Sequence, residues 1–166
     1  MHYTGPVIRP PYEAGSVMLE VTVGCTHDSC TFCTYYKGHP FRPAPLEQVR
    51  ADLAEIARFR PGTNHIWASG GDPFSMSTRR LLELADIVHE YLPGATISTY
   101  ARVDSMRNKT VEDLRALHDA GYTDVMIGIE SGDDEVLAHV RKGYTAADVV
   151  EQCGKLDEAG LPYNCI

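Results

Sequence analysis

The sequence predicts an α/β fold built on a parallel sheet, and two regularities of its apolar residues support this. Short runs rich in apolar and β-branched residues recur along the 166 residues and start about 30 to 50 residues apart, the interval expected of repeated strand–helix units. Segments with apolar residues at helical spacing lie between them. The predicted strands are residues 17–23, 65–68, 96–100, 124–129 and 161–166.

Four helical segments are predicted between these strands. Apolar residues three or four positions apart mark the first two helices, in residues 46–57 and 81–92. The third helix is expected to end at Gly121, because glycine commonly terminates helices. The fourth is expected to begin after the capping residue Thr145 and to end at Gly160.

Two architectures fit this alternation: a doubly wound open sheet and part of a parallel (β/α) barrel. In both, ligands bind at the carboxyl ends of the strands. A complete eight-stranded barrel needs about 250 residues, and this sequence stops as its fifth strand begins. We therefore expect an incomplete core domain of about five units in residues 16–166, truncated at its C-terminus. Residues 1–15 form an N-terminal extension.

The composition is that of a globular protein with an acidic balance. Lys and Arg number 15 against 23 Asp and Glu, for a formal net charge of −8. This balance argues against general nucleic-acid binding, which needs a basic surface to displace counterions from phosphates. No stretch reaches the roughly 18 apolar residues of a membrane span, and the first residues lack a signal-peptide pattern. We expect a cytoplasmic protein that does not bind membranes.

Three of the five cysteines lie within nine residues, directly after the first predicted strand. Cys25, Cys30 and Cys33 are spaced C-x4-C-x2-C, which is too close for an extracellular disulfide framework. Thiolates two to four residues apart are typical of iron–sulfur clusters, because a short loop wraps one face of the cluster. Three thiolates would leave one iron open to a substrate or cofactor.

Two alternatives to a cluster are a zinc site and a loop whose cysteines bind no metal. Structural zinc takes four protein ligands, so His27, His39 or Cys153 would have to complete the site. Incidental thiols in a loop are the other possibility. Cys153, on a predicted helix, and Cys165, in the last predicted strand, are otherwise expected to be small buried hydrophobes.

A second motif, Gly-Gly-Asp-Pro, follows the second predicted strand. Alone it predicts only a turn. Together with the cysteine loop it resembles the radical S-adenosylmethionine (SAM) superfamily, and most of all the branch of the Elongator catalytic subunit, the methylthiotransferases and the oxygen-independent coproporphyrinogen oxidases. The resemblance extends from about residue 16 to residue 166. The commonest spacing in that superfamily is C-x3-C-x2-C, and this loop has one more residue between its first two cysteines.

The resemblance implies a partial (β/α) barrel in which Cys25, Cys30 and Cys33 hold a [4Fe–4S] cluster and SAM binds the fourth iron. A low-potential donor such as flavodoxin or ferredoxin would supply an electron. Reductive cleavage of SAM would then give a 5′-deoxyadenosyl radical that abstracts hydrogen from a substrate. The cofactors provide this chemistry, and the protein provides position and exclusion of water.

The resemblance also assigns SAM contacts to the first two loops. Phe32, just before the last cysteine of the motif, would pack by the adenine. Gly70, Gly71, Asp72 and Pro73 would approach the methionyl amino group through their backbone, since glycine allows close approach. The acidic side chain of Asp72 suits an ammonium group.

Later loops are expected to complete the SAM site. Tyr100 and Arg102 lie at the end of the third strand and would be near the ribose or carboxylate of SAM, although Arg102 is equally explained as a solvated residue at a strand end. Glu130 ends an apolar run, where an unpaired charge is costly, and would bind the ribose hydroxyls. Of the basic pair Arg141 and Lys142, Lys142 is expected to contact the SAM carboxylate.

The sequence does not identify the substrate. Methylthiolation, porphyrin decarboxylation and peptide modification are all compatible with it. The alternative from another functional class is a zinc-stabilised binding module without catalytic activity.

Overall fold

The computed structural model describes residues 1–166, and a five-stranded parallel sheet forms its centre. A separate two-stranded antiparallel pair lies beside it. The large sheet contains β1 (Val17–Glu20), β4 (His65–Ser69), β5 (Thr96–Ala101), β6 (Tyr122–Ile127) and β7 (Tyr163–Cys165), and the small pair contains β2 (Thr22–Val23) and β3 (Arg42–Pro43).

Five helices connect the strands: α1 (Leu46–Phe59), α2 (Thr78–Tyr91), α3 (Val111–Asp119), α4 (Asp134–His139) and α5 (Ala146–Ala159). Helix α1 contacts α2, α2 contacts α3, and α3 contacts α5. The cap predicted at Thr145 is present, because its side chain accepts a hydrogen bond from the backbone N–H of Asp148. None of the five helices combines the length and apolar character needed to cross a bilayer.

The order of the strands decides between the two predicted architectures. In the sheet, β1, β4, β5, β6 and β7 are neighbours in the order in which the chain visits them. Right-handed crossovers that always advance in one direction place every helix on the same face, whereas a doubly wound sheet reverses direction and carries helices on both faces. The fold is therefore a partial parallel (β/α) barrel, as predicted.

Alternation along the strands divides the sheet into an apolar and a polar face. Leu19, Ile66, Ile97 and Val125 are fully buried and join the hydrophobic core of 31 residues beneath the helices. Burial of each such side chain stabilises the fold by about 1.5–3 kcal/mol.

The polar face of the sheet is covered by the N-terminal residues 1–15. Trp67 donates a hydrogen bond from Nε1 to the carbonyl of Ile8 across 3.1 Å. The carboxylate of Glu20 accepts hydrogen bonds from the backbone and the hydroxyl of Thr4 at 2.8 and 2.7 Å. This segment therefore packs directly on the sheet that follows it.

The structure corrects three predicted strands and adds one helix. The strand predicted over residues 124–129 is β6, Tyr122–Ile127. The first predicted strand divides after Glu20, because the chain leaves the large sheet there and continues as β2. The last begins after Leu161, since α5 ends with Gly160 in the left-handed region (φ 71°) and the Leu161 N–H closes back onto the carbonyl of Leu156. Helix α4 has only six residues, too few for apolar periodicity to show.

Candidate cofactor site

Nine of the twelve residues predicted to hold cofactors line one cavity at the carboxyl edge of the sheet. Most come from the loops that follow β2, β4, β5 and β6, as parallel strands dictate; Tyr100 lies near the end of β5, and Lys142 follows α4. The nine residues are Cys25, Cys30, Phe32, Cys33, Gly71, Tyr100, Arg102, Glu130 and Lys142. Gly70, Asp72 and Pro73 do not line this cavity.

The three clustered cysteines are free and half-buried in the loop between β2 and β3. No group of three or more Cys, His, Asp or Glu side chains stands close enough to hold a single metal ion. Zinc would require all its sulfur ligands about 2.3 Å from one ion, whereas the cysteines of a cluster bind different irons and need not converge. The donor set fits a cluster, and the zinc alternative is not supported.

The glycine motif lies directly against the cysteine loop. The Gly71 N–H donates a hydrogen bond to the carbonyl of Gly24 across 3.0 Å. A Cβ on Gly71 would stand 2.4 Å from that same carbonyl oxygen, and Gly24 has a φ of +76°. Both positions therefore require glycine, one for close approach and the other for its backbone conformation.

Asp72 is fully buried behind the cavity and links three loops. Its carboxylate accepts hydrogen bonds from the hydroxyl of Ser105 at 2.6 and 2.8 Å, from the N–H of Arg102 at 3.3 Å and from the hydroxyl of Thr26, the neighbour of Cys25. Burial raises the pKa of Asp72, and the bonds from Ser105 and Thr26 oppose that rise. In this structure the carboxylate holds the loops together and does not face the cavity.

Glu130 and Lys142 form an ion pair at the cavity. The Lys142 Nζ donates to Glu130 Oε1 across 3.2 Å, and the lysine is only 4% exposed. The ammonium also lies 5.9 Å from the ring centroid of Phe32 and 5.4 Å from that of Tyr144. Glu130 has a φ of 64°, unusual for a non-glycine residue and typical of functional sites.

Arg102 is buried and its guanidinium is held by two partners, so it is not a solvated residue at a strand end. Its guanidinium pairs with both carboxylate oxygens of Asp104 at 3.0 and 3.2 Å and donates to the carbonyl of Lys142 across 2.7 Å. Tyr100 packs edge-on against Trp67, with ring centroids 4.8 Å apart. Burial raises the pKa of Tyr100 to about 12.

Four further residues line the cavity that sequence reasoning did not single out: Tyr36, Ala101, Gly128 and Ile166. Tyr36 follows the last cysteine of the motif by three positions, the only sequence signal for it. Burial raises the pKa of its phenol. Of the two remaining cysteines, Cys165 is exposed, because it lies in the edge strand β7, so the expectation of burial was wrong there. Cys153 on α5 is half-buried and packs against the hydrophobic core.

Curated relatives match much of this chain but only a part of their own length. The chain is 29% identical over 150 residues to 4′-phospho-dehydrooxetanocin synthase from Priestia megaterium, covering 80% of this chain and 20% of the relative. It is 24% identical over 144 residues to the heme chaperone HemW of Bacillus subtilis, covering 82% and 38%. The chain thus spans about a fifth to two fifths of these relatives.

Solved structures share the fold. The cobalamin-dependent SAM radical enzyme OxsB, with aqua-cobalamin and SAM bound, superposes with a TM-score of 0.75 at 21% identity over 90% of this chain and 23% of that one. Structures of HemN and Elp3 share the fold at 17% and 16% identity. Among the sequence relatives, tRNA-2-methylthio-N(6)-dimethylallyladenosine synthase from Colwellia psychrerythraea is 24% identical over 161 residues, covering 89% of this chain and 32% of the relative.

The model of the radical SAM superfamily matches residues 19–166, nearly the whole chain. Membership of this superfamily implies two cofactors, a [4Fe–4S] cluster and SAM. This protein belongs to the radical SAM superfamily.

Proposed function

We propose that this chain holds a [4Fe–4S] cluster through Cys25, Cys30 and Cys33 and reductively cleaves SAM, so that the radical formed abstracts hydrogen from a substrate. One observation supports this above the others: loops that are distant in sequence bring the three thiols and the basic and acidic residues of the expected SAM site into one cavity. When bound, the reduced cluster supplies the electron for C–S bond cleavage.

The side chains around the cavity provide the polarity that SAM requires. SAM carries an amino acid carboxylate, an ammonium, a sulfonium and ribose hydroxyls. We propose that Lys142 attracts the carboxylate and that Glu130 accepts hydrogen bonds from the ribose, both as charge-assisted interactions. The ring of Phe32, 54% exposed at the cavity, is free to stack on the adenine. The backbone of Gly71 would hydrogen-bond the methionyl amino group of SAM.

In this proposal Arg102 and Asp72 do not contact SAM and instead position the loops that do. Because Asp104 and the carbonyl of Lys142 occupy the guanidinium of Arg102, Arg102 fixes the loop that carries Lys142. Asp72 fixes the loop that carries Cys25 through the hydroxyl of Thr26. Both residues would hold the site in shape before SAM binds.

The partners and the substrate are also proposals. An electron donor of low potential, such as flavodoxin or ferredoxin, would reduce the cluster. The three free thiols favour a reducing cytoplasm, where cysteines stay available to iron. The net reaction is that of an oxidoreductase or transferase, and its substrate class is open because the relatives differ in the reactions their names describe.

Anaerobic reconstitution tests the proposal. The protein is loaded with iron and sulfide, reduced with dithionite and incubated with SAM. We expect 5′-deoxyadenosine and methionine in equal amounts, slowly and without added substrate, and neither product from Cys30→Ala. A colourless protein that binds one zinc ion would instead support the binding module, and a fully loaded cluster without SAM cleavage would contradict the proposed activity.

A further inference from the structure

The hydroxyl of Tyr36 is a buried donor without a partner. The residue is 6% exposed, and its hydroxyl oxygen makes no hydrogen bond in the structure. Leaving a buried polar group unpaired costs about 1–3 kcal/mol, and folded proteins seldom do so. The neighbouring Tyr35 differs, because its hydroxyl donates to the carbonyl of Val7 across 2.8 Å.

Packing fixes the ring of Tyr36 at the cavity wall. A Cβ on Gly71 would stand 2.8 Å from the Cε2 atom of Tyr36, so the tyrosine ring packs on the glycine motif. The ring of Tyr35 meets it edge-on, with centroids 5.0 Å apart. The Tyr36 side chain has therefore little freedom to turn its hydroxyl toward another partner.

The cavity that Tyr36 lines contains the three thiols of the cysteine motif. A hydroxyl can donate a hydrogen bond to sulfur. The sulfide and thiolate sulfurs of a bound cluster would be negatively charged acceptors for it.

We propose that the Tyr36 hydroxyl donates a hydrogen bond to a sulfur ligand of the bound [4Fe–4S] cluster and raises its reduction potential. The inference rests on the proposed function, since it requires the cluster. Hydrogen bonds to sulfur are among the factors that set cluster potentials, and groups just outside the metal ligands commonly tune a metal centre. A donor stabilises the more negative, reduced state.

The test compares Tyr36→Phe with the matched control Tyr35→Phe in the full chain, both reconstituted anaerobically. The midpoint potential is measured by redox titration followed by electron paramagnetic resonance, without SAM. We expect Tyr36→Phe to be harder to reduce, by up to about tenfold in the equilibrium constant, or about 59 mV for one electron. Tyr35→Phe should match the wild type.

The stability of the cluster-free protein provides an independent measurement. Because the hydroxyl bonds nothing in the protein, Tyr36→Phe should not lower its melting temperature. A variant that folds normally but no longer retains the cluster would also support the contact. An unchanged potential, or a loss of stability in the cluster-free variant, would overturn the inference. A wild-type protein that assembles no cluster would instead contradict the proposed function itself.

Discussion

The Lys142 ammonium lies 3.2 Å from a carboxylate oxygen of Glu130 and brings together two loops on either side of α4. The carboxylate of Glu130 provides a partner for the buried ammonium of Lys142, whose burial without one would cost stability. It also presents one cationic and one anionic group to the same cavity. The zwitterionic character of SAM makes this pair the centre of the proposed binding site.

Replacing Glu130 with alanine should weaken SAM binding. The loss of charge-assisted hydrogen bonds to the ribose should cost about 1.5–3 kcal/mol, or roughly 10- to 150-fold in Kd. Equilibrium dialysis with labelled SAM on the reconstituted protein measures this. Glu158→Ala, an exposed residue of α5, is the control and should bind normally. Unchanged affinity in Glu130→Ala would show that the ribose contact lies elsewhere.

Replacing Gly71 with alanine should disrupt the junction of the glycine motif and the cysteine loop. The new Cβ would press on the carbonyl of Gly24 and the ring of Tyr36, and such overpacking typically costs about 1–3 kcal/mol. Thermal unfolding and cluster content should both fall. Gly15→Ala is the matched control, because a Cβ there meets nothing within 4 Å. Equal effects of the two substitutions would refute the close-approach argument.

Asp72→Asn should destabilise the protein even without cofactors. It replaces one carboxylate oxygen with an NH2 group that cannot accept from the surrounding donors, the hydroxyls of Ser105 and Thr26 and the Arg102 N–H. A buried donor left unpaired costs about 1–3 kcal/mol. Urea denaturation of the cluster-free protein measures the change. Asp86→Asn, on the exposed side of α2, should be close to neutral. If Asp72→Asn lost SAM binding at unchanged stability, the side chain would be a ligand contact.

Lys109 should make stability depend on alkaline pH. Burial lowers its pKa from 10.5 to about 8, although Asp72 and Asp113 oppose the shift. Between those values the unfolded chain holds a proton that the native protein has lost, so stability should rise with pH. Over this whole pH range the free energy of unfolding should rise by about 3 kcal/mol.

Lys109→Met should abolish that rise, since no proton is lost at this position. The measurement is the free energy of unfolding from pH 7 to 10, compared with wild type and with Lys37→Met, an exposed lysine. If Lys109→Met and wild type gave parallel pH profiles, the lysine would not be titrating in this window.

The alternation of strands and helices was predictable because it rests on short-range periodicity. The division of the first predicted strand was not, since residues 17–23 contain no glycine or proline to mark a break and only pairing with β3 separates β2 from β1. The choice of a barrel over a doubly wound sheet was likewise inaccessible to pattern alone. It depends on strand order, which is set by long-range packing.

Much of the candidate site was predictable because parallel strands bring their following loops to one edge. What the sequence concealed is the direction of individual side chains. Asp72 belongs to a motif beside the cavity, yet its carboxylate turns away from the cavity to three donors. Tyr36 carries no pattern of its own, and only the fold shows that its hydroxyl is buried and unpaired and that the residue lines the same cavity as the thiols.

The iron and sulfide content of cysteine variants tests the central claim most directly. After anaerobic reconstitution, Cys25→Ala, Cys30→Ala and Cys33→Ala should each lose the cluster and its brown colour. Cys153→Ala and Cys165→Ala, which lie outside the cavity, should retain the iron and sulfide of the wild type. Full iron and sulfide in Cys30→Ala would contradict the account.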